Sequence, residues 1–319
     1  MLARPRLRAI QPQPVVGVDV DGGLRLAVRS PDGTGSRWRL AAVLPAPVPP
    51  GAQRLPTAVR SFARGLREAV MAHRLHGSVV HLSVPPRRIA MRPFTLPPLR
   101  DERAWRHAVE TEIDRNLVLA GEPRQWDAYR LGETRAGEGD EVWMVVVAPL
   151  SVVQPWPELM RWAGLRPVSA EPGILAIARR LAAQPDVPGR FGVLILGLSG
   201  IEGAVVRDGR VTARRYLDWH TEDAARSVPH PVGDLEALDQ MRAYVRRQEP
   251  GITTVFVVNL AGVAFTPGEG EAWLRADADA DLSVYPTAVD TTAHAPRLAS
   301  DAAWLVAQAL TETGDRTWV

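Results

Sequence analysis

Two stretches of the chain combine acids or hydroxyls with glycine in a way that could hold a ligand. In the first, Val15 to Val28 (VVGVDVDGGLRLAV), an apolar run breaks at Asp19, Asp21, Gly22 and Gly23 and then resumes. Glycines in such a turn take positive φ and leave backbone N–H groups uncovered. In the second, Gly197-Leu198-Ser199-Gly200 follows the apolar run Phe191 to Leu196. It has the outline of a hydrolase nucleophile elbow, but position 201 is Ile rather than Gly and no placed His or acid completes a triad. Asp277, Asp279 and Asp281 imitate the start of a calcium loop, yet Leu282 and Ala288 stand where that loop needs Gly and Glu, so a solvated acidic loop is expected. The histidines, His73 and His76 among them, lack metalloprotease spacing and read as surface or satisfied groups.

Composition removes further chemistries. The 319 residues contain no cysteine, which excludes disulfides, thiolate zinc sites and a cysteine nucleophile. They also contain no lysine: all 38 basic residues are arginine, so a Walker lysine and Schiff-base catalysis are excluded. The pI of 9.5 overstates basicity. With almost nothing titrating between His and Arg, a formal charge of only +2 carries it there, and bulk electrostatics give no reason to expect nucleic acid or a membrane surface as a partner.

Periodicity supplies the elements that must position these turns. Val16, Val18 and Val20, then Leu24, Leu26 and Val28, alternate as two paired strands, and Ser36 to Leu44 reads as a third. Leu55, Val59, Phe62, Leu66 and Val70 form one apolar helix stripe, and Ser78 to Val84 is a buried strand ended by Pro85-Pro86. A strand over Arg88 to Leu96, a helix capped by Asp101, strands at Trp126 to Leu131 and Glu141 to Ala148, a helix from Pro157 to Ala163, a strand at Arg166 to Glu171 and a helix from Ile174 to Leu181 follow. After the turn-rich Ala182 to Arg190, the opening repeats. Phe191 to Leu196, Ala204 to Arg207 and Arg210 to Leu217 are strands, the last two joined at Asp208-Gly209. Leu235, Leu238, Met241 and Val245 mark a helix, Thr253 to Val258 a buried strand, and Asp301 to Leu310 a buried helix.

A three-stranded meander, helix and strand therefore occur twice, about 180 residues apart. That plan resembles the actin-like ATPase superfamily, in which two such turns face each other, cradle phosphates and hold Mg²⁺ through an acid. In finer detail the chain is similar to the type IV pilus assembly family PilM, relatives of FtsA. The resemblance is carried by VVGVDVDGGLRLAV, by FTLPPLRDERAWRHAVETEIDRNL (Phe94 to Leu117), by VWMVVVAPLSVVQPWPELMRWAGLRPVSAEPGILAIAR (Val142 to Arg179) and by GVLILGLSGIEGAVVRDGR (Gly192 to Arg210). It implies an α/β, actin-like (ribonuclease H-like) duplicated fold. The expected organisation is an N-terminal arm over 1–13, a first domain over 14–185 with a small α+β subdomain inserted at about 86–164, and a second domain over 186–319, each domain around a mixed sheet.

The nucleotide residues that the resemblance implies are Asp19, Asp21, Gly22, Gly23, Gly197, Ser199 and Gly262, and three motifs depart from the family pattern. Asp21 replaces a glycine of the first turn. A carboxylate about 4 Å from a phosphate charge costs roughly 4 kcal/mol at an effective dielectric of 20 unless Mg²⁺ lies between them. Ile195 stands where the second acid belongs, and Asn259-Leu260-Ala261-Gly262 is a thinned adenosine-side cluster. A pseudo-ATPase is expected, with an actin-like protein of pilus or type II secretion machinery that binds or hydrolyses ATP with Mg²⁺ as one alternative and a small-molecule kinase of the superfamily as another.

The resemblance further implies a cytoplasmic scaffold, peripheral at the inner membrane, that grips the cytosolic N-terminal tail of a PilN-like pilus protein in a groove between the first domain and its insertion. Other pilus components are expected partners, without nucleic acid and without direct membrane insertion; the longest apolar run, Val142 to Val153, is too short to span a bilayer. Arg88, Arg92, Phe94 and Leu96, on the strand entering the insertion, and Trp156 and Trp162, near Pro155 and Pro157, are the candidate groove residues.

Overall fold

The computed structural model describes residues 14–20, 24–29, 38–44, 56–117, 121–133, 139–197, 200–218, 235–259, 281–284, 306 and 309–310. The opening alternation folds as expected: β1 (Val15–Asp19) and β2 (Leu24–Arg29) pair antiparallel, Asp19 opposite Arg25. Val16, Val18, Leu26 and Val28 form one face, buried under α1 (Pro56–Ala72). β3 (Trp38–Leu44) extends the meander, and β4 (Val79–Val84) returns parallel to β1 after the helix. The sheet ends on β8 (Arg166–Pro172), giving the order β3-β2-β1-β4-β8.

The second half repeats this order strand for strand. β9 (Arg190–Leu196), β10 (Gly200–Arg207) and β11 (Arg210–Asp218) form the meander, α6 (Leu235–Gln248) crosses, and β12 (Thr254–Asn259) and β13 (Asp281–Val284) complete β11-β10-β9-β12-β13. The Asp208-Gly209 turn is made by two positive-φ residues, at 50° and 74°, the geometry that a two-residue hairpin link requires. β13 corrects the reading of an acidic loop: Asp281 begins a strand parallel to β12, while Asp277 and Asp279 lie outside the described residues. Helical Val306, Ala309 and Leu310 are buried in the core shared with the second sheet.

Between β4 and β8 lies a separate three-stranded sheet of order β5-β7-β6, built from β5 (Ala90–Leu96), β6 (Arg124–Glu133) and β7 (Glu141–Pro149). Its covering helix α2 (Glu102–Asn116) is capped by Asp101, whose Oδ2 accepts from the Ala104 N–H at 2.7 Å. The sheet is buried on both faces: Phe94, Leu96, Val145 and Val147 pack under α2, while Met91, Met144 and Val146 enter the core shared with the second half. α3 (Leu150–Val153) and α4 (Pro155–Trp162) lead back to β8, which α5 (Gly173–Ala182) follows. Leu159, Met160 and Ala163 pack with Val16, Leu66 and Leu82. Residues 155–164 thus cover the first sheet, although an insertion over 86–164 would have included them.

The inserted sheet also covers the edge strand of the second half. Tyr129 on β6 donates its hydroxyl to the Val211 carbonyl at 2.7 Å, and Arg210 donates to the Arg130 carbonyl at 2.6 Å. Covering an edge satisfies main-chain groups that would otherwise recruit another strand. Burial pushes the Tyr129 phenol well up from its ordinary range, against the opposing pull of Arg179 and Arg210.

Candidate functional site

The first expected site is the pair of turns at the ends of β1 and β9. Asp19 closes β1, is almost fully buried, and accepts a hydrogen bond from the Ser83 hydroxyl at 2.7 Å; the Val20 N–H donates to the same Ser83 oxygen at 2.9 Å. Ser83 thus ties the end of β1 to neighbouring β4. Asp21, Gly22, Gly23, Ser199 and Gly262 lie outside the described residues. In the second turn the Gly197 N–H donates to the Gly200 carbonyl at 2.9 Å, and β10 starts at Gly200 itself, earlier than the strand expected from Ala204.

Gly200 has a packing reason to be small. A Cβ there would meet the Leu217 carbonyl oxygen at 2.2 Å and the Tyr216 hydroxyl at 2.5 Å. Ile195, at the position expected to carry the second acid, is 4 % exposed and packs in the core with Val193, Phe256 and Val258. It offers no oxygen. Among the described residues, then, one of the two expected acids, Asp19, is placed at a strand end, and an alkyl side chain stands where the second was expected.

The second expected site is the groove beside the insertion, and a cavity of about 200 Å³ lies there. Edge strand β8 supplies Pro167, Ser169, Ala170 and Pro172; the inserted sheet supplies Val146, Ala148 and Gln125; α3 and α4 supply Leu150, Val153, Pro157 and Arg161. Val84 and Ile89 close the end where the chain leaves the first sheet. The lining is mostly apolar with a few polar groups, the composition of a site that buries apolar side chains and fixes their orientation. One of those polar groups is anchored: Ser169 Oγ lies 2.6 Å from His81 Nδ1, both residues being buried.

None of the six groove candidates lines this cavity. Arg88 is on a 3₁₀ turn, Pro86–Arg88, rather than on the strand, because Pro85-Pro86 fixes the backbone there and the Ile89 N–H closes onto the Pro86 carbonyl. It is exposed, and its Nη2 donates to both carboxylate oxygens of Glu122, at 3.1 and 2.9 Å. Arg92 is exposed on β5; burial pushes the Tyr244 phenol of α6 up, and Arg92 is close enough to oppose that push. Phe94 and Leu96 face α2, on the side of β5 away from the cavity. Trp156 packs on the core of the first sheet, and Trp162 is on the surface with Arg67 over its ring. The residues missed are those of β8, and their sequence signal was Pro167 and Pro172, since prolines inside a strand mark a sheet edge.

Polar contacts add to the shared apolar core in tying the cavity to the second half. Arg214 of β11 donates to the carbonyl of Ile89, a cavity residue, at 2.7 Å and to that of Pro86 at 2.8 Å, while its Nε pairs with Glu202 of β10. Arg87 adds an exposed pair with Asp218 at 3.0 Å.

Two sheets of identical strand order, an α+β insertion between the fourth and fifth strands of the first, and a turn of small residues at the head of the second define an α/β protein with the actin-like (ribonuclease H-like) duplicated fold. Among solved structures the chain is similar to one described as a PilM-PilN type IV pilus biogenesis complex, at 19 % identity and a TM-score of 0.69, covering 95 % of this chain and 98 % of that one. It is also similar to the cytoplasmic domain of EpsL, an inner-membrane component of the type II secretion system of Vibrio cholerae (11 % identity, TM-score 0.52, 95 % and 96 % covered). The ethanolamine utilization protein EutJ of Carboxydothermus hydrogenoformans is a third (15 % identity, TM-score 0.51, 95 % and 90 % covered). No family model matches the chain, and no curated protein matches it. At these identities the likeness establishes the fold.

Proposed function

We propose that the chain is a scaffold of a type IV pilus assembly machine that holds the cytosolic N-terminal tail of a PilN-like inner-membrane protein, with the nucleotide cleft reduced to a structural role. The observation that carries this reading is the apolar cavity of about 200 Å³ between β8 and the inserted sheet, on a fold whose similar solved structure is described as a PilM-PilN complex. An extended apolar tail laid along the edge of β8 would hydrogen-bond through its main chain and seat alternate side chains in the cavity. In this arrangement the chain is peripheral to the membrane through its partner. Among the described residues, no helix is long and apolar enough to cross a bilayer.

The pseudo-ATPase part rests on Ile195, which puts an alkyl group at the expected second acid. ATP binding is the second reading, favoured by one observation: Asp19 is retained, buried and held by Ser83 at the head of the first turn. Calorimetric titration of the full chain with a synthetic tail peptide, with and without ATP and Mg²⁺, tests both. Peptide binding that nucleotide leaves unchanged supports the scaffold; a shift with ATP supports a switch. Absence of peptide binding in both conditions sinks the proposal.

A further inference from the structure

We propose that the outward face of α1 and α4 is a docking surface for an anionic lipid bilayer. Three large apolar side chains are exposed among the described residues, and two of them lie on this face: Met71 at 61 % and Trp162 at 52 %. Arg64, Arg67 and Met71 recur at spacings of three and four, so they form one stripe along α1, and exposed Arg74 follows in the turn beyond it. Arg67 carries its guanidinium 5.5 Å from the centre of the Trp162 ring, which joins the stripe to the end of α4, where Arg161 is exposed as well. Three arginines, Arg64, Arg67 and Arg161, thus share the face with two exposed glutamates, Glu68 and Glu158.

The formal charge of +2 gives the whole chain little attraction to an anionic surface, so what matters is this local excess. Its composition suits the lipid interface: indole rings reside at headgroup level, and guanidinium groups match phosphate oxygens bidentately. Its exposed Trp and Met gain nothing from the phosphate backbone of a nucleic acid alone, whereas a bilayer offers both phosphates and an apolar interior. The orientation follows from the scaffold reading, on which this inference rests in that respect only. Arg161 also borders the cavity, so a tail held there by a membrane protein brings this face toward the bilayer.

Flotation of the full chain with phosphatidylcholine vesicles, with and without about one third phosphatidylglycerol, tests the surface. The chain is expected to float with the anionic vesicles only, and to release as salt rises from about 50 to about 500 mM. Arg67→Glu and Trp162→Ala should each lower the bound fraction about fivefold or more, whereas Arg103→Glu, the same charge change on exposed α2, should not. No flotation with anionic vesicles, or equal loss in Arg67→Glu and Arg103→Glu, overturns the proposal. Because the vesicles contain no protein, these outcomes are independent of whether the chain binds a peptide tail.

Discussion

Arg214 and Glu202 pair inside the protein, across adjacent strands of the second sheet, with 8 % and 4 % of their surfaces exposed. The remaining guanidinium N–H groups reach across to the Pro86 and Ile89 carbonyls, where the chain enters the insertion. Removing one member leaves the other charge buried without compensation. Arg214→Ala is therefore expected to cost about 3 to 5 kcal/mol in urea unfolding. Arg214→Lys should recover little of this, since an ammonium lacks the planar fork that serves three acceptors at once. A double-mutant cycle with Glu202→Gln should show strong coupling.

Tyr129 is the second clamp between the insertion and the second half. Tyr129→Phe removes the bond to the Val211 carbonyl and should cost about 1 to 2 kcal/mol at neutral pH. The phenol is raised in the folded state, so its contribution is complete below the unfolded value of about 10 and is lost as pH climbs above it. Wild type should lose stability from pH 10 to 11 more steeply than the variant, as read from urea midpoints.

Much of this architecture is legible in the sequence because it rests on local patterns. The alternation of Val16, Val18 and Val20, the Asp101 cap and the Asp208-Gly209 turn each depend on neighbours in the chain. The site is less legible because its walls come from β8, the inserted sheet, α3 and α4, and no periodicity links them. Phe94 and Leu96 show the difficulty. Their alternation announces a buried face, but β5 is covered on both sides, and sequence alone does not tell which face looks into the cavity. Trp162 misleads for another reason: its size suggests a groove wall, yet it projects from the end of α4 into solvent.

Asp127 is half-buried on β6, and desolvation raises its carboxyl above the ordinary value of 3.8, with the Ala128 N–H and Arg106 opposing. The unfolded chain loses this proton first, so stability falls as pH rises through the window just above 3.8. Asp127→Asn keeps an acceptor for the Ala128 N–H at 2.6 Å and removes the charge. The variant should gain on wild type between about pH 3.5 and pH 7, by less than about 1 kcal/mol because the group is partly solvated.

The glycine of the second turn separates two explanations of why it is small. Gly200→Ala puts a methyl group 2.2 Å from the Leu217 carbonyl, a main-chain atom that cannot rotate away. It should destabilise by about 2 kcal/mol or more, by the same amount with and without ATP, in thermal unfolding. A loss that appears only in the presence of nucleotide would instead assign Gly200 to ligand approach.

The cavity itself is tested by filling it. Ala170 lies on edge strand β8, is half-buried and faces both the cavity and the adjoining cores. Ala170→Leu adds three carbons to a space of about 200 Å³ without opening a void, so the fold has room to accept the change at a cost below about 1.5 kcal/mol. The same atoms occupy the volume that an apolar tail residue would need, and a tail excluded from its central pocket loses affinity at the position that contributes most. Peptide binding by Ala170→Leu should fall about tenfold or more, while Ala170→Ser, nearly the same size, should bind within about threefold of wild type. If Ala170→Leu folds and binds the tail as wild type does, the tail is held elsewhere, and β8 serves as the covered edge of the first sheet and no more.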